Sequence, residues 1–180
     1  NPVAEQGIPL TPARASRCGT LLAGKVAEAF TDDELRELLA RGVMLDSTAL
    51  AVLWARGLGE LTGVRLGEPV RGGAYETLTA HALNGRFAGD SRDALMDSAD
   101  NTRVLERIDP QAAELARLTG HDGRDHGCCL SVYENALGGR VAVSTYATWR
   151  RLGSLCKRSQ LTAVADWLSR GKLPVVIDAF

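Results

Sequence analysis

The chain has 180 residues, 45% of them hydrophobic and 24% charged, and a formal net charge of −1. This composition excludes an intrinsically disordered protein, and the length fits one globular domain. Proteins that bind nucleic acid usually carry a basic surplus, but Lys plus Arg number 21 here against 22 for Asp plus Glu. We therefore expect a single α/β domain over residues 1–180, without a nucleic-acid partner. Because the chain starts at Asn1 rather than Met, we expect this domain to be a fragment of a larger chain.

Cysteine usage and the apolar runs indicate the compartment. Four cysteines occur, and the adjacent Cys128 and Cys129 would close a strained ring if they formed a disulfide. No Cys-x-x-Cys motif occurs, so the sequence predicts free thiols in a reducing, cytoplasmic compartment. No apolar run approaches the ~20 residues that span a membrane, and no signal-peptide pattern is visible, so we expect no membrane partner.

The first predicted elements in chain order are a short strand and a capped helix. Thr20–Ala23 is apolar and ends at a glycine, which predicts a buried strand. Thr31 and Glu34 then match a capping box, in which each side chain bonds the backbone N–H of the other residue. Three leucines follow at helical spacing, at positions 35, 38 and 39. Gly42 stands where a C-terminal cap glycine would end this helix.

A second strand and helix repeat this order. Val43–Leu45 predicts a buried strand, and Asp46 or Ser47 is expected to cap the helix that follows. Gly57 is expected to end that helix. Strands that alternate with amphipathic helices through tight glycine connections are typical of a parallel sheet covered by helices.

The second half of the chain is richer in strand signals. Tyr75–Ala82 and Thr102–Ile108 are predicted strands, and Asn84–Gly85 is a predicted turn after the first of them. The polar stretch Gly89–Asp100 is a predicted loop. Asp109–Leu118 is predicted to be a short helix, because an Asp-Pro pair is a helix start signal.

A hairpin and a helix complete the domain. Cys128–Tyr133 and Arg140–Tyr146 are β-rich and flank a loop with two glycines, which predicts an antiparallel hairpin. Ser159–Leu168 is the last predicted helix, and Leu173–Ile177 is a predicted strand. Together these elements predict an α/β fold with a mostly parallel sheet covered by helices and an antiparallel hairpin in the C-terminal half.

Three stretches of the chain resemble a known family. They are Gly7–Pro12, Thr31–Val64, and the hairpin residues Tyr133–Asn135 with Gly138–Val143. These stretches resemble glutamine-amidotransferase-like domains, above all those that follow the TIM barrel in bacterial β-galactosidases and related glycoside hydrolases, where the domain is often called the trimerisation domain. The resemblance implies a flavodoxin-like fold, a carbohydrate-active parent enzyme, and a role in oligomer contacts or in shaping a sugar site.

A cysteine nucleophile is the alternative that the sequence leaves open. Amidotransferases carry a Cys on a strand-to-helix elbow and a His-x-Glu pair downstream, and elbow geometry needs glycines around the nucleophile. Gly127–Ser131 matches this pattern only loosely, since Val132 continues a strand, and no His-x-Glu occurs. His126 is nevertheless close in sequence to Cys128 and Cys129, so a cysteine-dependent hydrolase or amidotransferase that uses one of these thiols with His126 remains the alternative.

The polar residues include candidates for metal binding and for sugar binding. His121–Cys129 contains two His, two Asp and two Cys, but a zinc site needs three or four ligands in fixed geometry, and no second ligand pair is apparent, so we expect no metal or cofactor. Glycosidases need two carboxylates around the scissile bond, and nothing in the sequence selects such a pair. Glu134 and Asn135 stand at the rim of the predicted hairpin, and Trp149 follows a strand beside two arginines. These three residues are the candidate substrate-binding residues.

The leading interpretation is a noncatalytic accessory module of a carbohydrate-active enzyme. Its expected partner is a second copy of the chain in a homo-oligomer, or the catalytic barrel of the parent chain. A carbohydrate is the expected small ligand, because the resemblance implies oligomer contacts or a wall of a sugar site.

Overall fold

The computed structural model describes residues 20–22, 24–94, 102–146 and 153–171. The helices are α1 (Gly24–Glu28), α2 (Asp32–Leu39), α3 (Ser47–Ala55) and α4 (Leu155–Ser169), with 3₁₀ segments at Gly59–Thr62 and Ala82–Phe87. The strands are β1 (Thr20–Leu22), β2 (Gly42–Asp46), β3 (Val64–Pro69), β4 (Ala74–Leu78), β5 (Ser91–Asp93), β6 (Arg103–Arg107), β7 (Ala113–Gly120), β8 (Asp125–Glu134) and β9 (Arg140–Ser144). In these ranges no helix is long and apolar enough to cross a membrane. The segments Gly7–Pro12 and Leu173–Ile177 lie outside the described residues.

Helix α2 begins as predicted but ends differently. The Thr31 hydroxyl accepts a hydrogen bond from the Glu34 backbone N–H at 3.3 Å, and the Glu34 carboxylate accepts one from the Thr31 backbone N–H at 2.8 Å. The helix ends at Leu39, so the prediction that Gly42 caps it is wrong. Gly42 instead begins β2, where a Cβ atom would lie only 2.2 Å from the carbonyl oxygen of Leu168. Glycine is therefore required where α4 approaches the sheet.

Helix α3 follows its predicted signals. Asp46 is the N-cap, because its Oδ1 atom accepts a hydrogen bond from the backbone N–H of Ala49 at 2.7 Å. Gly57 follows the helix with a φ of +70°, a left-handed conformation that favours glycine. Trp54 lies near the end of α3 and donates from Nε1 to the carbonyl of Val64 at 3.0 Å, which ties the helix to the start of β3.

The sheet is mixed rather than mostly parallel. Among the described residues its main path runs β1-β2-β9-β8-β7-β4-β5, and the β3–β6 pair joins it where β6 meets β8. The pairs β1–β2 and β2–β9 are parallel, whereas β3–β6, β4–β5, β4–β7, β6–β8, β7–β8 and β8–β9 are antiparallel. The parallel part and the C-terminal hairpin are confirmed, but a mostly parallel, flavodoxin-like sheet is not. The reason is that several strands after β3 follow one another through short turns, which allow only antiparallel pairing.

Strand β7 replaces the helix predicted over Asp109–Leu118. The Asp109 carboxylate accepts a hydrogen bond from the backbone N–H of Gln111 at 2.8 Å, and the Asp109 carbonyl accepts one from Ala112, so the Asp-Pro pair forms a turn. β7 then pairs with β4 on one edge and with β8 on the other. Pairing on both edges overrides the local helix signal. Asn84–Gly85 likewise lies within a 3₁₀ segment instead of a hairpin turn.

Strand β8 separates two apolar clusters. Cys128 belongs to the cluster that contains Val43 of β2 and the buried side chains of α2 and α3. Cys129 belongs to the cluster that contains Val164 and Leu168 of α4. Successive residues of a strand point to opposite faces, so the two neighbouring thiols lie in different halves of the core.

Candidate functional site

A carboxylate and two cations are buried together between the sheet and α4. The Oε1 atom of Glu76 on β4 accepts a hydrogen bond from Nζ of Lys157 on α4 at 2.5 Å, and its Oε2 atom accepts one from Nε of Arg92 on β5 at 2.8 Å. The side chains of Glu76 and Lys157 are fully buried, and that of Arg92 is 9% exposed. Arg92 also donates to the Tyr146 hydroxyl at 2.7 Å. We call Glu76, Arg92, Tyr146 and Lys157 the Glu76 network.

Two amide side chains extend the network along α4. Lys157 donates to Oε1 of Gln160 at 2.7 Å, and Nε2 of Gln160 donates to Oδ1 of Asn84 at 2.7 Å. Nδ2 of Asn84 donates in turn to the carbonyls of Thr79 and Leu115, each at 2.8 Å. These bonds join α4 to the sheet and to the second 3₁₀ segment, so they fix where the helix sits.

The charges of the network keep Glu76 ionised. Burial alone would raise the pKa of Glu76, because it disfavours the carboxylate. The positive charges of Lys157 and Arg92, with hydrogen bonds from Lys157 and Tyr146, outweigh burial and hold this pKa below its usual value. Burial, followed by the charge of Glu76, raises the pKa of Tyr146. An ionised carboxylate that is saturated with donors and closed to solvent holds α4 in place and is not available as a base for an external substrate.

The two candidate nucleophiles lie inside strand β8. Both thiols are buried: Sγ of Cys128 bonds to the carbonyl of Leu130 at 3.4 Å, and Sγ of Cys129 bonds to Oε1 of Glu76 at 3.8 Å. Burial raises the pKa of Cys128 to about 12. Burial, with the charge of Glu76, raises the pKa of Cys129 well above its usual value. At neutral pH both groups are therefore thiols, which are poor nucleophiles.

The surroundings of these thiols differ from those of an activated cysteine. No elbow follows them, since β8 continues to Glu134 and forms a hairpin with β9. His126 lies at the start of the same strand, where it is half-buried and lines a surface cleft. After burial, the negative charge of Glu114 acts most strongly on the Cys128 thiol and raises its pKa further. The described surroundings thus raise the pKa of Cys128 and Cys129 and bury both thiols, whereas a nucleophilic cysteine needs a lowered pKa and an open path to its substrate.

The candidate substrate-binding residues have different surroundings. Asn135 is buried; its Nδ2 atom donates to the carbonyl of Leu39 at 2.9 Å, and its Oδ1 atom accepts from the backbone N–H of Gly139 at 3.1 Å. It therefore ties the hairpin turn to the end of α2. The Glu134 carboxylate is exposed and lies 3.2 Å from Arg140. Trp149 lies outside the described residues.

A polar cleft opens where two β-ribbons meet. Strand β6 pairs with β8 at one register position, Leu105 opposite Cys128, while β7 pairs with β8 out to Asp125. A cleft of about 730 Å³ lies between the β3–β6 ribbon and the β7–β8 hairpin. We call it the fork cleft; it is lined by residues 68, 69, 71, 104–106, 114, 117, 122 and 124–128. Five carboxylates, three guanidinium groups and His126 belong to this lining, so the cleft is strongly polar.

Many of these charges pair with one another. Arg117 donates to the Glu114 carboxylate at 2.5 Å and to the Asp125 carboxylate at 2.8 Å. The hydrogen bond from Arg117 lowers the pKa of Asp125. Glu106 pairs with Arg65 of β3 at 2.7 Å. These ion pairs lie within the two ribbons that form the walls of the fork cleft.

Comparisons with known proteins bear on the fold alone. No protein-family model and no curated protein sequence matches this chain. The chain is similar in structure to the cytoplasmic protein STM3548 from Salmonella typhimurium, with a TM-score of 0.62 and 10% identity over 89% of this chain and 76% of that one. It is also similar to an exo-β-1,4-mannosidase from Opitutaceae bacterium strain TAV5, with a TM-score of 0.46 and 16% identity over 91% of this chain and 26% of that one. The first similarity shows a shared α/β fold, and the second is too distant to support an argument.

The polar stretch His121–Cys129 does not converge on one point. The ring of His121 lies 4.7 Å from that of Tyr75, and its Nε2 atom lies 3.4 Å from the Asp93 carboxylate, beside β4 and β5. His126 lies instead in the fork cleft. Within the part of the chain that the structure describes, no group of three or more His, Cys, Asp or Glu side chains could hold a metal ion.

Sequence reasoning misses the Glu76 network. Lys157 and Arg158 are neighbours in a basic stretch, a pattern that is typical of an exposed surface. One signal could have identified Glu76 as buried. Glu76 lies two positions from both Ala74 and Leu78 on β4, so the three side chains share one face of the strand. Ala74 and Leu78 are apolar and buried, which indicates that this face is turned to the core.

Proposed function

We propose that this domain is a noncatalytic accessory module of a carbohydrate-active enzyme, of the glutamine-amidotransferase-like type that follows the barrel in β-galactosidases. In this role it supplies oligomer contacts or a wall of a sugar site. The observation that carries the proposal is the state of Cys128 and Cys129, which are buried within β8 and have raised pKa values. If neither Cys128 nor Cys129 is activated, the two candidate thiols of the described residues cannot serve as the nucleophile on which amidotransferase chemistry depends.

Two exposed apolar side chains support the assembly role. Ile108 is 40% exposed and Leu137 is 43% exposed, each in a connection between strands. The backbone N–H of Ile108 bonds to the carbonyl of Gly63 at 3.0 Å, and Asn135, two residues before Leu137, bonds to the carbonyl of Leu61 at 3.2 Å. One connection therefore bonds to the 3₁₀ segment and the other to Gly63 directly after it, so the backbones of the two connections lie at the same end of the domain. The fully buried core of a protein interface is rich in apolar area, to which side chains such as these can contribute.

We expect the full chain to associate without turning over substrate. Hydrolysis of chromogenic β-galactosides and β-mannosides, and release of ammonia from glutamine, should not exceed the rates of a Cys128→Ala/Cys129→Ala variant, because neither thiol is activated. Sedimentation velocity should show association that grows with concentration. Leu137→Asp should weaken this association by about tenfold, as expected for an interface anchor.

Two results would contradict the proposal. Turnover that disappears in the Cys128→Ala/Cys129→Ala variant would show a cysteine enzyme. A chain that is monomeric at all concentrations and binds no saccharide would not be an accessory module of this kind. The matched control for Leu137→Asp is Val26→Asp, which places the same charge at an exposed apolar residue of α1 and should leave association unchanged.

A further inference from the structure

Several charged groups in the fork cleft have no partner inside the protein. Glu68 on β3 and Arg71 after it belong to one wall, and Arg124 in the β7–β8 turn belongs to the other. Within the described residues, none of these three side chains makes a hydrogen bond or an ion pair. Asp122 uses its Oδ1 atom for the backbone N–H of Arg124 at 3.0 Å, so its second oxygen can accept another bond. Donors and acceptors are thus available on both walls at once.

The charge balance of the cleft argues against a highly charged ligand. Its lining has five carboxylates and three guanidinium groups, and Arg65, which lies outside the lining, neutralises one of the carboxylates, Glu106. The carboxylates exceed the cations by one, so an anionic ligand would meet net repulsion. A polycation would meet the two unpaired guanidinium groups of Arg71 and Arg124. Neither sign of charge is complementary to the site as a whole.

A neutral ligand with many hydroxyl groups fits these functional groups. A hydroxyl can donate to a carboxylate and accept from a guanidinium, and each of these planar groups can bind two neighbouring hydroxyls. The volume of about 730 Å³ lies within the range of roughly 300–1,000 Å³ that holds small-molecule ligands.

From these observations we infer that the fork cleft binds a neutral oligosaccharide, with Arg71 and Arg124 as donors from opposite walls and Glu68 as an acceptor. This inference rests on the proposed function and identifies the surface that forms its sugar contact. The existing pairs of Arg117 with Glu114 and Asp125 keep the β7–β8 wall in shape while the unpaired groups bind.

A titration of the full chain with a neutral disaccharide, lactose or mannobiose, tests the inference by ¹⁵N–¹H NMR. The largest shift changes are expected at residues 68–71 and 120–127. Arg71→Gln and Arg124→Gln should each weaken binding by about tenfold, the loss expected for one hydrogen bond to a charged group. Both side chains are exposed and unpaired, so the variants should keep the wild-type circular dichroism and melting temperature.

The control is Arg36→Gln, which removes an exposed arginine of α2, outside the cleft lining, and should leave binding unchanged. Shift changes confined to other surfaces, or wild-type affinity in both cleft variants, would overturn the inference. Tighter binding of digalacturonate or spermidine than of the neutral sugar would also overturn it, and so would no binding of any of these probes. Failure of the proposed function is a different result. It would appear as turnover that depends on Cys128 or Cys129, or as a chain that is strictly monomeric and also binds no sugar.

Discussion

Replacing Glu76 by glutamine is expected to lower the free energy of unfolding by about 3–5 kcal/mol, the usual cost of removing one partner from a buried ion pair. The wild-type carboxylate faces both Lys157 and Arg92, which are fully and nine-tenths buried. In Glu76→Gln these two cations would remain in the core without a counter-charge. Urea unfolding at neutral pH measures the loss, and Glu37→Gln is the matched control, because Glu37 is exposed and pairs only with Arg41 on the surface.

A double-mutant cycle separates the ionic interaction from packing. Lys157→Met should be less damaging than Glu76→Gln, because Glu76 keeps its bond to Arg92. The Glu76→Gln/Lys157→Met variant should be more stable than the sum of the single losses predicts, since it removes a cation that Glu76→Gln leaves unpaired. Simple additivity of the two losses would show that Glu76 and Lys157 are not coupled.

Comparison of wild type with Glu76→Gln also reports how the contribution of Glu76 to stability depends on pH. Its pKa is lowered in the folded state, so its contribution to stability is fully present above the ordinary carboxyl pKa of 4.5 and is lost as pH falls through the lowered value. The difference in unfolding free energy between wild type and Glu76→Gln should therefore be constant near neutral pH and shrink in acid. A difference that grows as the pH falls would contradict the depressed pKa.

Gly139→Ala is expected to destabilise the protein by about 3 kcal/mol, at the upper end of the usual cost of overpacking. A Cβ atom on Gly139 would lie 1.8 Å from the carbonyl oxygen of Leu39 and 2.6 Å from the carbonyl carbon of Ala40. Both are backbone atoms at the end of α2, so relief requires the hairpin turn and the helix to move apart. That movement would also break the hydrogen bond of Asn135 to the carbonyl of Leu39.

Thermal and urea unfolding of Gly139→Ala and Gly153→Ala measure this effect. Gly153 is the matched control, because it is exposed, its φ is not in the left-handed region, and an added Cβ would meet no atom within 4 Å. The control should change stability by no more than about 0.5 kcal/mol. Equal stability of the two variants would mean that the hairpin turn does not pack against α2 as described.

The first part of the fold could be predicted from sequence because its signals are local. The capping box of Thr31 and Glu34 and the cap at Asp46 each involve residues within three positions, and their hydrogen bonds form as expected. Strand β7 could not be predicted, because one of its two pairing partners, β4, is distant in sequence, whereas the Asp109 signal next to β7 favours a helix start.

The candidate site was harder to predict than the fold for the same reason. Lys157 lies 81 positions from Glu76, and no local pattern indicates that two charged residues so far apart are buried together. The fork cleft combines residues from four strands and two connections, so its lining becomes visible only once the two ribbons are placed. By contrast, the adjacency of Cys128 and Cys129 suggested a common chemistry, although neighbouring residues of a strand face opposite sides.

The state of the thiols in β8 is the most direct test of a noncatalytic domain. A Cys18→Ser/Cys156→Ala variant retains Cys128 and Cys129 alone, and its rate of alkylation by iodoacetamide can be followed from weakly acid to alkaline pH in native buffer and in denaturant. We predict native labelling at neutral pH that is slower than that of the unfolded chain by at least about a hundredfold, with no inflection near neutrality, because buried thiols with raised pKa values are poorly ionised. Native labelling faster than that of the unfolded chain, with an inflection below the ordinary thiol pKa and loss in Cys128→Ala or Cys129→Ala, would contradict the account.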